Sequence, residues 1–209
     1  MAQAQEPIAV ELVLALDSSA SVDRKEFQLQ VDGVAQAFRD PDVITAIERL
    51  KPLGAAVTVM EWGGIGDTKI VLPWTPLRDA RDARAFAHVA SRMQRWQRSS
   101  VTSIRSAMAD GRVLIDTNAY DGGRRVIDIS GDGADNSSLD LRQMRRALEA
   151  DGIVINGLAI ESEDGKLTAY YRDNVIAGPG CFVETARDFN DFARAIKEKL
   201  LRELRPLES

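Results

Sequence analysis

Two kinds of apolar pattern alternate along this chain. Ile8 to Leu16, Ala55 to Trp62, Arg124 to Ile129 and Ile153 to Ile160 are short runs in which apolar residues follow one another with few interruptions. Runs of this length without strict alternation predict strands buried on both faces. Between them the apolar positions take helical spacing. From Asp23 to Phe38 the residues Phe27, Val31, Val34 and Phe38 recur four, three and four positions apart, and Asp23 with Glu26 has the form of a capping box. Helices are likewise predicted over Asp79 to Gln97, Thr102 to Ile115, Leu139 to Ala150 and Asp188 to Leu204. The last of these places Phe189, Phe192, Ala193, Ile196, Leu200 and Leu204 on one face.

The remaining segments are shorter. Lys69 to Pro73 reads as a strand whose prolines confine it to a sheet edge. The Gly63-Gly64-Ile65-Gly66-Asp67 turn joins it to Ala55–Trp62 as a hairpin. Thr168 to Val175 reads as irregular or a short helix, and Cys181 to Glu184 as a short strand. The sum is an α/β fold: a doubly wound, mostly parallel six-stranded sheet with one antiparallel edge strand and helices on both faces. The domain is expected to run from residue 7 to 205, with residues 1–6 a disordered N-terminal remnant.

Composition narrows the chemistry. The 209 residues are 44% hydrophobic and 28% charged, enough for one domain with a full core. The net charge is -5 with Lys and Arg scattered, which argues against a nucleic-acid partner. Arg142, Arg145 and Arg146 lie on a predicted helix and read as a solvated face. With one cysteine, Cys181, and one histidine, His88, the chain has no internal disulfide, no Cys/His zinc cluster and no Cys-His nucleophilic pair. Cys181 reads as a small buried hydrophobe and His88 as a surface or helix-flank residue. No apolar run reaches the length of a membrane span. Ala2-Gln3-Ala4 has the small-x-small form of a signal-peptidase site. The expected location is therefore periplasmic or secreted, with the cytoplasm left open.

Candidate chemistry gathers at the C-terminal ends of the predicted strands, where open α/β sheets bind ligands. Asp17-Ser18-Ser19-Ala20-Ser21 follows the first strand, and Ser130-Gly131-Asp132-Gly133-Ala134-Asp135-Asn136 follows Arg124–Ile129. A third polar loop, Ser99 to Ser103, leads into a helix with Thr102 placed as its cap. Carboxylates and hydroxyls are the donors that hard divalent cations take. Each loop is also explained by capping or turn formation alone. Asp132 lacks the oxygen ladder and closing glutamate of an EF-hand.

In this order the three loops resemble the von Willebrand factor type A (VWA) domain and its metal-ion-dependent adhesion site (MIDAS): Asp-x-Ser-x-Ser, then a Thr, then an Asp. The matching positions are Asp17, Ser19, Ser21, Thr102 and Asp132. Arg105 stands where the family usually has a glycine, and Gly131 where its last motif has a threonine. A nearer resemblance is to the bacterial DUF1194 family, carried by Val126 to Gly133, Glu61-Trp62, Val71 to Trp74, and Gly178 to Glu184 followed by Ala186 to Phe189. The resemblance implies a Rossmann-like VWA fold and a site for Mg²⁺, or Mn²⁺ or Ca²⁺, built on those five residues.

Two carboxylates offset a dication, the three hydroxyls are weak donors, and the resemblance implies that one octahedral position stays open. Such a site suits capture of an Asp or Glu carboxylate from a protein partner. Trp62, Gly63, Asp135 and Asn136 are the expected partner-binding rim. No catalytic residue is assigned. The alternatives are a metal-dependent phosphoryl-transfer or hydrolytic enzyme on the same sheet, and a scaffold with vestigial metal loops. The enzyme would want a second Asp at position 19, which is Ser, and no phosphate loop or nucleophile elbow is present.

Overall fold

The computed structural model describes residues 4–96, 101–161 and 165–205. Its strands are β1 (Glu6–Asp17), β2 (Ala55–Trp62), β3 (Thr68–Leu77), β4 (Tyr120–Gly131), β5 (Ile153–Ile160) and β6 (Val183–Ala186). They form one sheet in the order β3-β2-β1-β4-β5-β6. Every pairing is parallel except β2 with β3, so the antiparallel edge strand is where the prolines put it. The helices are α1 (Arg24–Ala37), α2 (Pro41–Arg49), α3 (Ala80–Ala90), α4 (Ile104–Asp116), α5 (Leu141–Ala150), α6 (Leu167–Asn174) and α7 (Phe192–Glu203).

β1 is the central strand and explains the two-faced core. Its alternate side chains Val10, Leu12, Leu14 and Leu16 pack under α1, α2, α3 and α7, while Val13 and Ala15 pack under α4, α5 and α6. Such burial stabilises by roughly 1.5–3 kcal/mol per large apolar side chain. Aspartate starts the α1 helix: Asp23 and Glu26 form the reciprocal capping box that the sequence predicts. α1 crosses α7 closely at Gly33, where a Cβ would lie 2.6 Å from Phe192 Cδ1. α7 is also tied to the sheet by buried charge. Lys199 Nζ lies 3.0 Å from Asp128 Oδ1 on β4 and 2.7 Å from Glu203 Oε1, all three side chains at most 1% exposed.

Several expectations shift. Residues 1–6 were expected to be disordered, yet Glu6 begins β1 and donates its N–H to Ala119 O at 2.8 Å. β3 and β4 are longer than their apolar runs. α2 has no counterpart among the expected elements. α3 stops at Ala90, well short of Gln97, which lies outside the described residues. Of the two readings of Thr168–Val175 the short helix is the one found, spanning Leu167–Asn174, and the last helix opens with a 3-10 turn, Phe189–Asp191. Thr102 does not cap α4: Ser103 does, accepting from Ser106 N. Cys181 is half-buried and precedes β6, and His88 is exposed.

Candidate metal centre

The site lies where β1 and β4 end side by side. Asp17 closes β1 and is fully buried, with its main-chain oxygen accepting from Gln30 Nε2 at 3.0 Å. Its Oδ1 accepts from Ser19 N at 2.7 Å. Its Oδ2 has no hydrogen-bond partner among the described residues. Ser19 Oγ lies 3.1 Å from Ser21 Oγ, which donates to Asp132 Oδ1 at 2.8 Å. A chain of contacts thus links Asp17, Ser19, Ser21 and Asp132, the last step joining residues 111 positions apart.

Gly131 makes this approach possible. A Cβ there would lie 2.7 Å from Tyr171 Oη, 3.0 Å from Asp17 Oδ2 and 3.1 Å from Trp62 Cζ2. Tyr171 Oη and Trp62 Nε1 are also buried with no partner among the described residues. Burial, followed by repulsion from Asp132, pushes the Asp17 carboxyl up to about 7 against the lowering effect of Ser19. Burial, then the charges of Asp17 and Asp132, raise the Tyr171 phenol well above its ordinary value. An unpaired buried oxygen next to a second carboxylate is unfavourable unless a cation joins it.

The third loop is stitched to the second through its backbone. Thr102 N donates to Asn136 Oδ1 at 2.9 Å, and Asn136 N returns a bond to Thr102 O at 3.0 Å. Thr102 is buried, its methyl 4.0 Å from where a Cβ on Gly133 would stand. Ser103, and not Thr102, is engaged as the helix cap, so the Thr102 hydroxyl takes no part in capping. Ser99 and Ser100 lie outside the described residues.

The expected rim divides. Trp62 is only 1% exposed, so it walls the site from below and offers no rim: its indole packs in the core with Tyr171. Gly63 is buried, its carbonyl accepting from Ser103 N at 2.7 Å. Asp135 accepts from Arg105 N at 3.1 Å and from Ser137 N and Oγ at 3.0 and 2.8 Å, which makes it a loop brace. Asn136 is exposed but its side-chain oxygen braces Thr102.

Residues the sequence reading passed over also hold the site. Arg95 Nη2 donates to both Ser18 O and Ser19 O at 2.7 Å, clamping the first loop. Trp96 N donates to Glu61 Oε2 at 2.8 Å, and burial raises that carboxyl despite Trp96 and Arg95. Glu61, the one charged residue of β2, was the visible signal. Among the described residues no group of three or more Asp, Glu, His or Cys converges. A cation here therefore rests on two carboxylates supplemented by hydroxyls, a donor set that suits a hard ion.

A family model described as protein of unknown function, DUF1194, matches residues 7–208. The chain belongs to the DUF1194 family. No curated protein sequence matches this DUF1194 chain. Its fold does recur in solved structures. The proximal thread matrix protein 1 from the mussel byssus, in a structure with a zinc-occupied MIDAS motif, shares 15% identity at TM-score 0.69, covering 95% of this chain and 48% of that one. The pilus adhesin SpaC from Lactobacillus rhamnosus GG shares 11% identity at TM-score 0.66, over 96% and 30% of the two chains. A von Willebrand factor type A protein from Catenulispora acidiphila shares 16% identity at TM-score 0.59, over 94% and 43%. The DUF1194 chain spans about half or less of these structures and has the VWA fold. Among its described residues no helix is long and apolar enough to cross a membrane.

Proposed function

We propose that this chain is a divalent-cation-dependent protein-binding module of the cell envelope or exterior, not an enzyme. Asp17, Ser19, Ser21, Thr102 and Asp132 hold Mg²⁺, with Mn²⁺ or Ca²⁺ as substitutes. The observation that carries the reading is Asp17 Oδ2: a fully buried carboxylate oxygen with no partner among the described residues, close to a second carboxylate. A bound cation supplies one Lewis-acidic position for an Asp or Glu carboxylate of a protein partner. The chain's own residues do the rest. Arg95 fixes the carbonyls of Ser18 and Ser19, and Asn136 fixes Thr102, so the hydroxyls are held before an ion arrives. Serine at position 19, where a phosphoryl-transfer site would want a carboxylate, favours binding over catalysis. The mussel and Lactobacillus proteins, a matrix protein and an adhesin by name, support the same reading.

The test is calorimetry with Mg²⁺ and Mn²⁺ on the wild-type chain and on Asp17→Ala, followed by capture of envelope proteins with and without chelator. Saturable heat that Asp17→Ala lacks, with chelator-sensitive capture, is the expected result. No heat from the wild type at millimolar metal would leave only the scaffold reading. Turnover of a phosphoester panel would replace binding by catalysis.

A further inference from the structure

A second polar site lies on the other side of the molecule from α1. A groove of about 530 Å³ runs between α5, α6 and the segment leading to β6. Four arginines line it: Arg142, Arg145 and Arg146 from α5, and Arg172 from the last turn of α6. Glu149 and Asp173 line it too. The lining therefore carries four guanidiniums against two carboxylates, a net charge of +2, in a chain whose net charge is -5.

The arginines divide into one that builds and three that wait. Arg145 is a strut. Its Nη1 donates to Asp173 O at 2.7 Å, while Nε and Nη2 donate to Ile176 O at 3.1 and 2.6 Å. These bonds fix α5 against the end of α6 and make the groove a defined shape. The side chains of Arg142, Arg146 and Arg172 form no hydrogen bond or ion pair with any described residue, although Glu149 and Asp173 share the groove. Arg142 and Arg146 stand one turn apart, a like-charge spacing that disfavours a helix. Arg142 also sits in the first turn of α5, where the helix dipole opposes a cation. The sequence reading of this face as merely solvated leaves both unfavourable placements unexplained. An anion in the groove relieves both.

We propose that this groove binds a small phosphorylated polyol, such as a sugar phosphate. A dianionic phosphoryl group matches the net +2 lining, and guanidinium forks suit its oxygens. The groove is larger than bare phosphate needs, and Glu149 and Asp173 add acceptors that repel an anion but welcome hydroxyls. The site is independent of the metal centre and does not rest on it.

Calorimetry on the full chain in chelator, with glucose 6-phosphate, inorganic phosphate and glucose as probes, tests this directly. Glucose 6-phosphate should bind about tenfold or more tightly than inorganic phosphate, and glucose should give no heat. The Arg142→Gln/Arg146→Gln double variant should lose about tenfold or more in affinity with an unchanged circular dichroism spectrum. Asp17→Ala should bind like wild type. Cys181, the chain's single thiol and part of the groove wall, gives a second readout: glucose 6-phosphate should slow its alkylation. Absence of glucose 6-phosphate binding, equal binding of inorganic phosphate, or undiminished affinity in the double variant overturns the proposal.

Discussion

Lys199→Met should be among the most damaging single substitutions in this fold, and its effect should depend on pH. The side chain is 0% exposed and is the cation between Asp128, 0% exposed, and Glu203, 1% exposed. Removing it leaves Glu203 Oε1 with Asn156 Nδ2 at 2.9 Å, while Asp128 loses its ion-pair partner. Breaking a buried pair from one side costs about 3–5 kcal/mol. Burial raises the Asp128 carboxyl from 3.8 to about 7, with Lys199 opposing and Glu203 reinforcing the shift. Burial wins, so the folded chain binds more protons than the unfolded chain between those values.

The contribution of this group to stability is then fully present below about pH 4 and is lost as pH rises through about 7. Lys199→Met should therefore lose most at pH 8, where Asp128 of the wild type is ionised and paired with Lys199, and less at pH 5, where it already holds a proton. Asp128→Asn in the Lys199→Met background should recover part of the loss at pH 8. Urea denaturation followed by far-ultraviolet circular dichroism at both pH values measures this. A loss below about 1 kcal/mol at pH 8, or an equal loss at pH 5 and pH 8, would refute the reasoning.

Gly131→Ala should destabilise by about 1–3 kcal/mol and weaken Mn²⁺ binding, because its methyl would intrude on Tyr171 Oη and Asp17 Oδ2; a stable variant with wild-type affinity contradicts that. Asp17→Asn should abolish the thermal shift induced by Mg²⁺ without lowering the melting temperature in chelator, as read by scanning fluorimetry. Arg95→Ala removes two bonds to the first loop and should weaken divalent-cation affinity about tenfold or more, measured by calorimetry. Asp191 is held well below the usual carboxylate range, chiefly by Arg194, so its stabilisation is present above about pH 4 and lost as pH falls further. Asp191→Asn should flatten the acid limb of a stability-versus-pH curve.

The strands were the legible part of the fold, because an apolar run between polar boundaries has one physical reading in an α/β chain. β2 and β5 have the limits that their composition suggests. α2 escaped because Pro41 reads as a breaker, yet at the first helical turn its missing N–H costs nothing, and Asp40 caps the helix. α3 was drawn too long because periodicity persists to Met93, which is buried after the helix has ended. The residues beyond it turn toward the site, where Arg95 and Trp96 meet partners some 35 to 77 positions away. Contacts of that range leave no local periodicity to read. That Asp17, Ser19, Ser21 and Asp132 come together was legible because strand ends in a parallel sheet meet at one edge. Trp62 was misjudged because its place at a strand terminus says nothing of which way the ring turns.

The position of β1 has a bearing on how the chain is made. It is buried from Val10 to Asp17 and needs β2 on one side and β4 on the other. During synthesis it leaves the ribosome before either neighbour. At about 5–20 residues per second, the hundred or so residues separating Asp17 from Tyr120 take about 5–20 s to follow. Throughout that interval this central strand has at least one open hydrogen-bonding edge. A nascent chain of this topology accordingly keeps that edge of β1 unpaired until β4 has emerged.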